Sequence, residues 1–164
     1  DMPCCLILDM KMPGLDGLEL QEKLIKEAYA MPIVFMTGYG DIPSSVQAMK
    51  HGAVTFLSKP VDDNVLIQAV QEGLAKDALC KQGMAQLESL QLRFDRLTHR
   101  EREILVHVIA GELNKQIASV LHISEKTVKA HRGRVMTKMQ ARSFADLVRM
   151  ANKLGIEPAH NPEH

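Results

Sequence analysis

The chain has 164 residues, enough for one ordinary domain or two small ones, and it is 46% hydrophobic and 24% charged, which suits a buried core. No apolar run approaches the ~18 residues that a membrane-spanning helix needs, so that class is excluded. The formal charge of zero conceals a division: residues 1–76 carry 6 Lys/Arg against 10 Asp/Glu, and residues 77–164 carry 14 against 10. Opposite signs in the two halves predict two modules with different partners.

The chain opens on Asp1, with no charged-then-apolar leader, so we expect no signal peptide and a start inside a longer gene product. Cys4-Cys5-Leu6-Ile7-Leu8 is a short continuous apolar run, the pattern of a strand buried on both faces. Adjacent cysteines point to opposite sides of a strand, and the third, Cys80, makes the number odd. A reducing, cytoplasmic setting is therefore expected rather than a disulfide framework or a cysteine metal site. Leu18, Leu20, Leu24 and Ile25 then mark a helix, Ile33–Met36 a second strand, and Ile42, Val46, Met49 and Ala53 another helix. Val54–Leu57 is a third strand. After Lys59-Pro60, Asp62 or Asp63 caps a helix with Val65, Leu66, Ala69, Val70 and Leu74 on its apolar face. Strands alternating with helices predict a parallel α/β sheet over residues 1–76.

Residues 77–96 keep a loose helical spacing and are expected to form a helical linker. From Leu97 onward the pattern is helical only. Thr98-His99-Arg100-Glu101 is a capping box for a helix that Gly111 can close. Asn114, Ser124 and Ser143 are expected to cap three further helices, ending near Leu121, Met139 and Leu154. This predicts an all-α four-helix unit over residues 97–158, followed by a frayed tail at 159–164.

Asp9, Thr37 and Lys59 each stand where an apolar strand stops. In an open parallel sheet such residues converge in the crevice outside the carboxyl ends of the strands. A carboxylate can act as nucleophile toward phosphorus, and a hydroxyl and an ammonium can hold phosphoryl oxygens.

Asp9-Met10-Lys11-Met12-Pro13-Gly14-Leu15-Asp16-Gly17 resembles the phosphoacceptor loop of response-regulator receiver domains. Met36–Asp41 and Phe56-Leu57-Ser58-Lys59-Pro60 resemble that family's next two signatures, in the same order. The resemblance implies a partial flavodoxin-like receiver, comprising the third to fifth strands and the helices after them. It further implies that Asp9 takes a phosphoryl group from a partner histidine kinase, that Thr37 and Lys59 bind that group, and that Phe56 rotates with Thr37 on activation. It implies a cis bond before Pro60. Receivers hold Mg²⁺ with the phosphoacceptor, a nearby carbonyl (here Lys11) and an acidic pair roughly two βα units upstream. That pair has no counterpart in the residues before Asp9, and Asp62-Asp63 reads as a helix cap. With Asp9 alone a hard octahedral cation is held weakly, so we expect this chain by itself to be phosphorylated inefficiently. We also expect Cys4–Leu8 to form an exposed, adhesive sheet edge.

The helices at about 114–121 and 125–139 are joined by His122-Ile123-Ser124, the short connection of a helix-turn-helix. Between Lys126 and Arg142 lie six basic residues plus His131 and no acid. Leu97–Leu105, Asn114–Ala118 and Ser124–His131 resemble a LuxR-type DNA-binding domain. A receiver joined to such a domain resembles the FixJ/NarL class of regulators. That resemblance places Lys129, Ala130 and Gly133 at base-facing positions in the major groove. Lys126, Thr127, His131, Arg132 and Arg134 become phosphate contacts or supports. It gives the last helix, with Phe144, Leu147, Val148 and Ala151, a dimerising role. Promoter DNA, a sensor kinase, RNA polymerase and a second copy of the chain are the implied partners. A haloacid-dehalogenase-type phosphatase would need a second aspartate at Lys11, so no enzyme is expected. The alternative is a DNA-binding regulator controlled by a partner or ligand without phosphorylation.

Overall fold

Ten elements follow one another in a computed structural model that describes residues 2–38 and 42–160. They are β1 (Leu6–Asp9), α1 (Gly17–Lys26), β2 (Ile33–Thr37), α2 (Ile42–Lys50), β3 (Thr55–Ser58), α3 (Asp63–Asp95), α4 (His99–Ile109), α5 (Asn114–Val120), α6 (Glu125–Met139) and α7 (Phe144–Lys153). Tyr39, Gly40 and Asp41 of the second strand-end motif, the Ile42 side chain, and residues 161–164 of the expected tail lie outside the described residues. The chain divides into two units, Asp1–Gly83 and Met84–His164.

The first unit is a parallel sheet in the order β1-β2-β3, with Leu8 opposite Phe35 and Phe35 opposite Phe56. Leu8, Met10, Ile33 and Phe35 pack with Ala48, Ala53, Leu18 and Leu24. Two helical faces differ from the apolar pattern. Ile25 of α1 is exposed, and Gln21 is buried in its place, its amide donating to the carbonyls of Ala48 (3.2 Å) and His51 (3.4 Å). On α2, Val46 and Met49 face outward while Ser45 and Ala48 are buried. Small side chains allow closer helix packing than the larger apolar ones the periodicity favours.

β1 begins two residues later than expected. The Cys4 N–H donates to the Asp77 carboxylate (2.8 Å) rather than to a strand, and Cys5 packs so tightly on α3 that a Cβ at Gly73 would lie 2.5 Å from its sulfur. The expected helical linker continues the helix before it: α3 runs unbroken for 33 residues, and no proline interrupts it. Val65, placed on its apolar face by the pattern, is exposed; Ala69 is buried.

In the second unit α4–α7 enclose Ile104, Leu105, Val108, Ile117, Val128, Val135, Met139, Leu147 and Ala151. Thr98, Ser124 and Ser143 cap their helices as expected, and Gly111 closes α4 at φ +83°. Asn114 is not a cap. It is the first residue of α5; Leu113 precedes it in extended backbone and donates its N–H to the Gln116 side chain (2.7 Å). Among the described residues no helix is long and apolar enough to cross a membrane.

Candidate functional site

Asp9 ends β1, Thr37 ends β2, and Lys59 follows β3 directly. The sheet register carries them to the same end. The Met10 N–H donates to Met36 O (2.9 Å), and the Lys59 N–H donates to Thr37 O (2.7 Å), so each strand end is tied to its neighbour. The Lys59 ammonium is hydrogen-bonded to the Asp9 carboxylate, whose other oxygen accepts the Lys11 N–H at 3.2 Å. The bond from Lys59, then that from the Lys11 backbone, holds the Asp9 carboxyl below its usual pKa. Asp9 is thus an anion, one-third exposed, beside a fixed cation. That combination can attack an electrophilic phosphorus and hold the charge it acquires. Thr37 is buried at the adjacent strand end, and Phe56 on β3 is partly exposed. The bond before Pro60 is cis.

Gly17 explains how α1 reaches this corner. A Cβ there would stand 2.6 Å from the Asp9 carbonyl oxygen and 3.2 Å from Met10 Cα. Only glycine lets the helix start so close to the strand end.

α6 is the second functional element. Val128, Val135 and Met139 are buried along one side, and Lys126, Lys129, Ala130, Gly133 and Arg134 are exposed on the other. A Cβ at Gly133 would meet nothing within 4 Å, so this part of the helix surface is open. Thr127 is exposed beside the cap, its hydroxyl 2.8 Å from that of Ser124. His131 and Arg132 are half-buried, and the Arg132 guanidinium donates to Asn114 Oδ1 at 2.8 Å.

These two sites carry a family signature each. Residues 2–71 match the response regulator receiver domain, and residues 95–151 match the bacterial regulatory proteins of the luxR family. The chain belongs to the two-component response regulators with a luxR-type DNA-binding domain. Nodulation protein W of Bradyrhizobium diazoefficiens is 44% identical over 163 residues, covering 99% of this chain and 72% of that protein. Transcriptional regulatory protein FixJ of the same organism is 40% identical over 152 residues, covering 93% and 74%. A solved structure described as response regulator StyR superposes with a TM-score of 0.81 at 46% identity, covering 91% of this chain and 75% of that one.

One reading of this response regulator's site residues changes. Leu147 and Ala151 are fully buried in the core, so of the four α7 residues expected to dimerise only Phe144, nearly half exposed, and the half-buried Val148 have surface to offer a second copy. The side chains of a single helix cannot fill the core and a dimer seam from the same position. As for Mg²⁺, the oxygen donors that the resemblance singles out are the Asp9 carboxylate and the Lys11 carbonyl. Among the described residues no group of three His, Cys, Asp or Glu side chains is arranged to hold a metal. Asp9 and Lys11 would hold the ion with water or further carboxylates completing its six oxygens.

Sequence patterns missed three ties that hold the helix-turn-helix. Lys138 of α6 bonds the buried Glu101 of α4 at 2.6 Å, Arg132 bonds Asn114, and Arg100 donates to the Leu121 carbonyl at 2.7 Å. Each charged residue was visible; the partner 18 to 37 positions away was not.

Proposed function

We propose that this response regulator is a transcription regulator switched by phosphorylation of Asp9 and acting through insertion of α6 into the major groove of promoter DNA. A sensor histidine kinase supplies the phosphoryl group. An Asp9 oxygen bonds phosphorus, the P–N bond to the kinase imidazole breaks, and that imidazole takes up a proton. Lys59 and Thr37 then hold phosphoryl oxygens, and Phe56 turns with Thr37 to report the change. The observation that supports this reading best is the Lys59 ammonium bonded to an ionised Asp9 at the carboxyl ends of the strands. The three strands are those that carry the phosphoacceptor, the hydroxyl and the lysine in a five-stranded receiver. Residues 1–76 are the receiver portion, 77–96 the linker and 97–158 the DNA-binding domain.

On DNA, Lys129 reads a base edge, a contact worth ~1–3 kcal/mol of discrimination. Ala130 and Gly133 allow close approach. Lys126, Thr127 and Arg134 meet phosphates, while His131 and Arg132 support the helix from its half-buried side. The active form is a homodimer in the cytoplasm that engages RNA polymerase at the promoter.

The test is phosphotransfer from a sensor kinase, with the acyl phosphate trapped by borohydride and located by mass spectrometry, alongside promoter footprinting. Label on Asp9, lost in Asp9→Asn together with inducible transcription, is the expected result. Inducible transcription that survives Asp9→Asn would move control to a ligand or partner.

A further inference from the structure

We infer that a second cationic site, at the far end of α6, holds a backbone phosphate of the same DNA duplex. This rests on the DNA-binding reading above. A cleft of about 780 Å³ is lined by Arg93 at the end of α3, Gln140 at the end of α6, Arg142 and Ser143 in the turn, and Asp146 and Arg149 of α7. Three guanidinium groups face one carboxylate.

The cations are largely unspent. Arg93 reaches the Met139 carbonyl only at 3.5 Å, and Arg149 stands 3.4 Å from Asp146 with its side chain 72% exposed. The Arg142 side chain has no ion pair among the described residues; its backbone N–H donates to Asp146 at 3.0 Å. A guanidinium presents a planar fork of donors that matches phosphate oxygens.

Position favours DNA as the occupant. Lys126, Ala130, Gly133, Thr137 and Gln140 succeed one another three or four residues apart, and all five are exposed. They form one ridge along the helix. The ridge starts at the groove-reading end and finishes at Gln140, inside the cleft. It is ~21 Å long at 1.5 Å per residue, whereas the major groove is ~12 Å wide. With its first half seated in the groove, α6 carries its last turn beyond the groove edge, where the phosphates run. A protein segment is a poorer fit, because Met150 is the cleft's single apolar lining residue and protein interfaces centre on apolar anchors.

The test is fluorescence anisotropy of the whole chain on a labelled random-sequence duplex of about 30 base pairs, from ~50 to ~200 mM KCl. Arg142→Ala/Arg149→Ala is expected to flatten the dependence of log K on log salt by ~0.9, the change for one phosphate no longer neutralised. Arg142→Lys/Arg149→Lys should restore the slope, and circular dichroism should show unchanged melting. An unchanged slope in the double alanine variant overturns the inference, leaving the cleft to an acidic protein or to none. The control Lys126→Ala separates the two readings. If it weakens binding while the double variant keeps the parental slope, only this site falls. If the parent chain itself shows no salt-dependent binding, the DNA-binding reading falls and takes this inference with it.

Discussion

Lys138 sets its ammonium 2.6 Å from the Glu101 carboxylate and so joins the last turns of α6 to the first turn of α4. Glu101 is 2% exposed and also accepts the Thr98 N–H at 2.8 Å. Burial alone would raise its pKa, but the Lys138 bond and the two bonds with Thr98 outweigh it and hold the carboxyl below 4.5. A depressed carboxyl pKa contributes stability above the unfolded value and loses it as pH falls through the folded one. Glu101→Gln should therefore destabilise the DNA-binding unit by ~1–3 kcal/mol at neutral pH, the cost of an unpaired buried polar contact. Thermal melts of both proteins should converge as pH drops below about 4.5.

Arg132 and Lys126 look alike in sequence and should behave differently. Arg132 is engaged with Asn114 inside the protein, whereas Lys126 is exposed. Arg132→Ala should weaken DNA binding with little change in salt slope. Lys126→Ala should lower the slope by about 1, as one phosphate contact does. Anisotropy titrations at several salt concentrations decide it, and equal slopes for the two variants would contradict the assignment.

At the strand ends, Lys59→Ala should let the Asp9 carboxyl titrate at higher pH, back toward 3.8, because the bond that chiefly depresses it is gone. The carboxyl carbon shift followed by NMR reads this directly.

Gly17→Ala forces a Cβ to within 2.6 Å of the Asp9 carbonyl. Overpacking of this kind costs ~1–3 kcal/mol, and here the strain falls on the strand end that carries Asp9. The expected result is a lower urea midpoint together with slower phosphotransfer.

On α7, Leu147→Ala should cost ~2–5 kcal/mol as a buried large-to-small change. Phe144→Ala should be far milder, because Phe144 is 46% exposed. If α7 is the dimer seam, Phe144→Glu should leave the monomer's melting intact and weaken self-association in analytical ultracentrifugation.

Much of this protein was written in short-range pattern. Apolar runs ending in Asp9, Thr37 and Lys59 announced three parallel strands and a crevice, because a buried strand must stop where chemistry meets water. Thr98, Ser124 and Ser143 announced three helix starts, because unpaired N–H groups need a nearby oxygen. Such signals are local: spacing alone places the residues on one face or at one end.

Tertiary structure decided the rest, since packing is settled between residues far apart in the chain. It buried Gln21, Ser45 and Ala48 where apolar periodicity favoured Ile25, Val46 and Met49. It fused the expected linker into one helix from Asp63 to Asp95. It withdrew Leu147 and Ala151 from the surface, and it turned Arg132 and Lys138 from two more basic residues into struts. A charge run in sequence gives only a sign. Whether each member touches DNA or holds the helix that does depends on the partner that the fold brings within 3 Å.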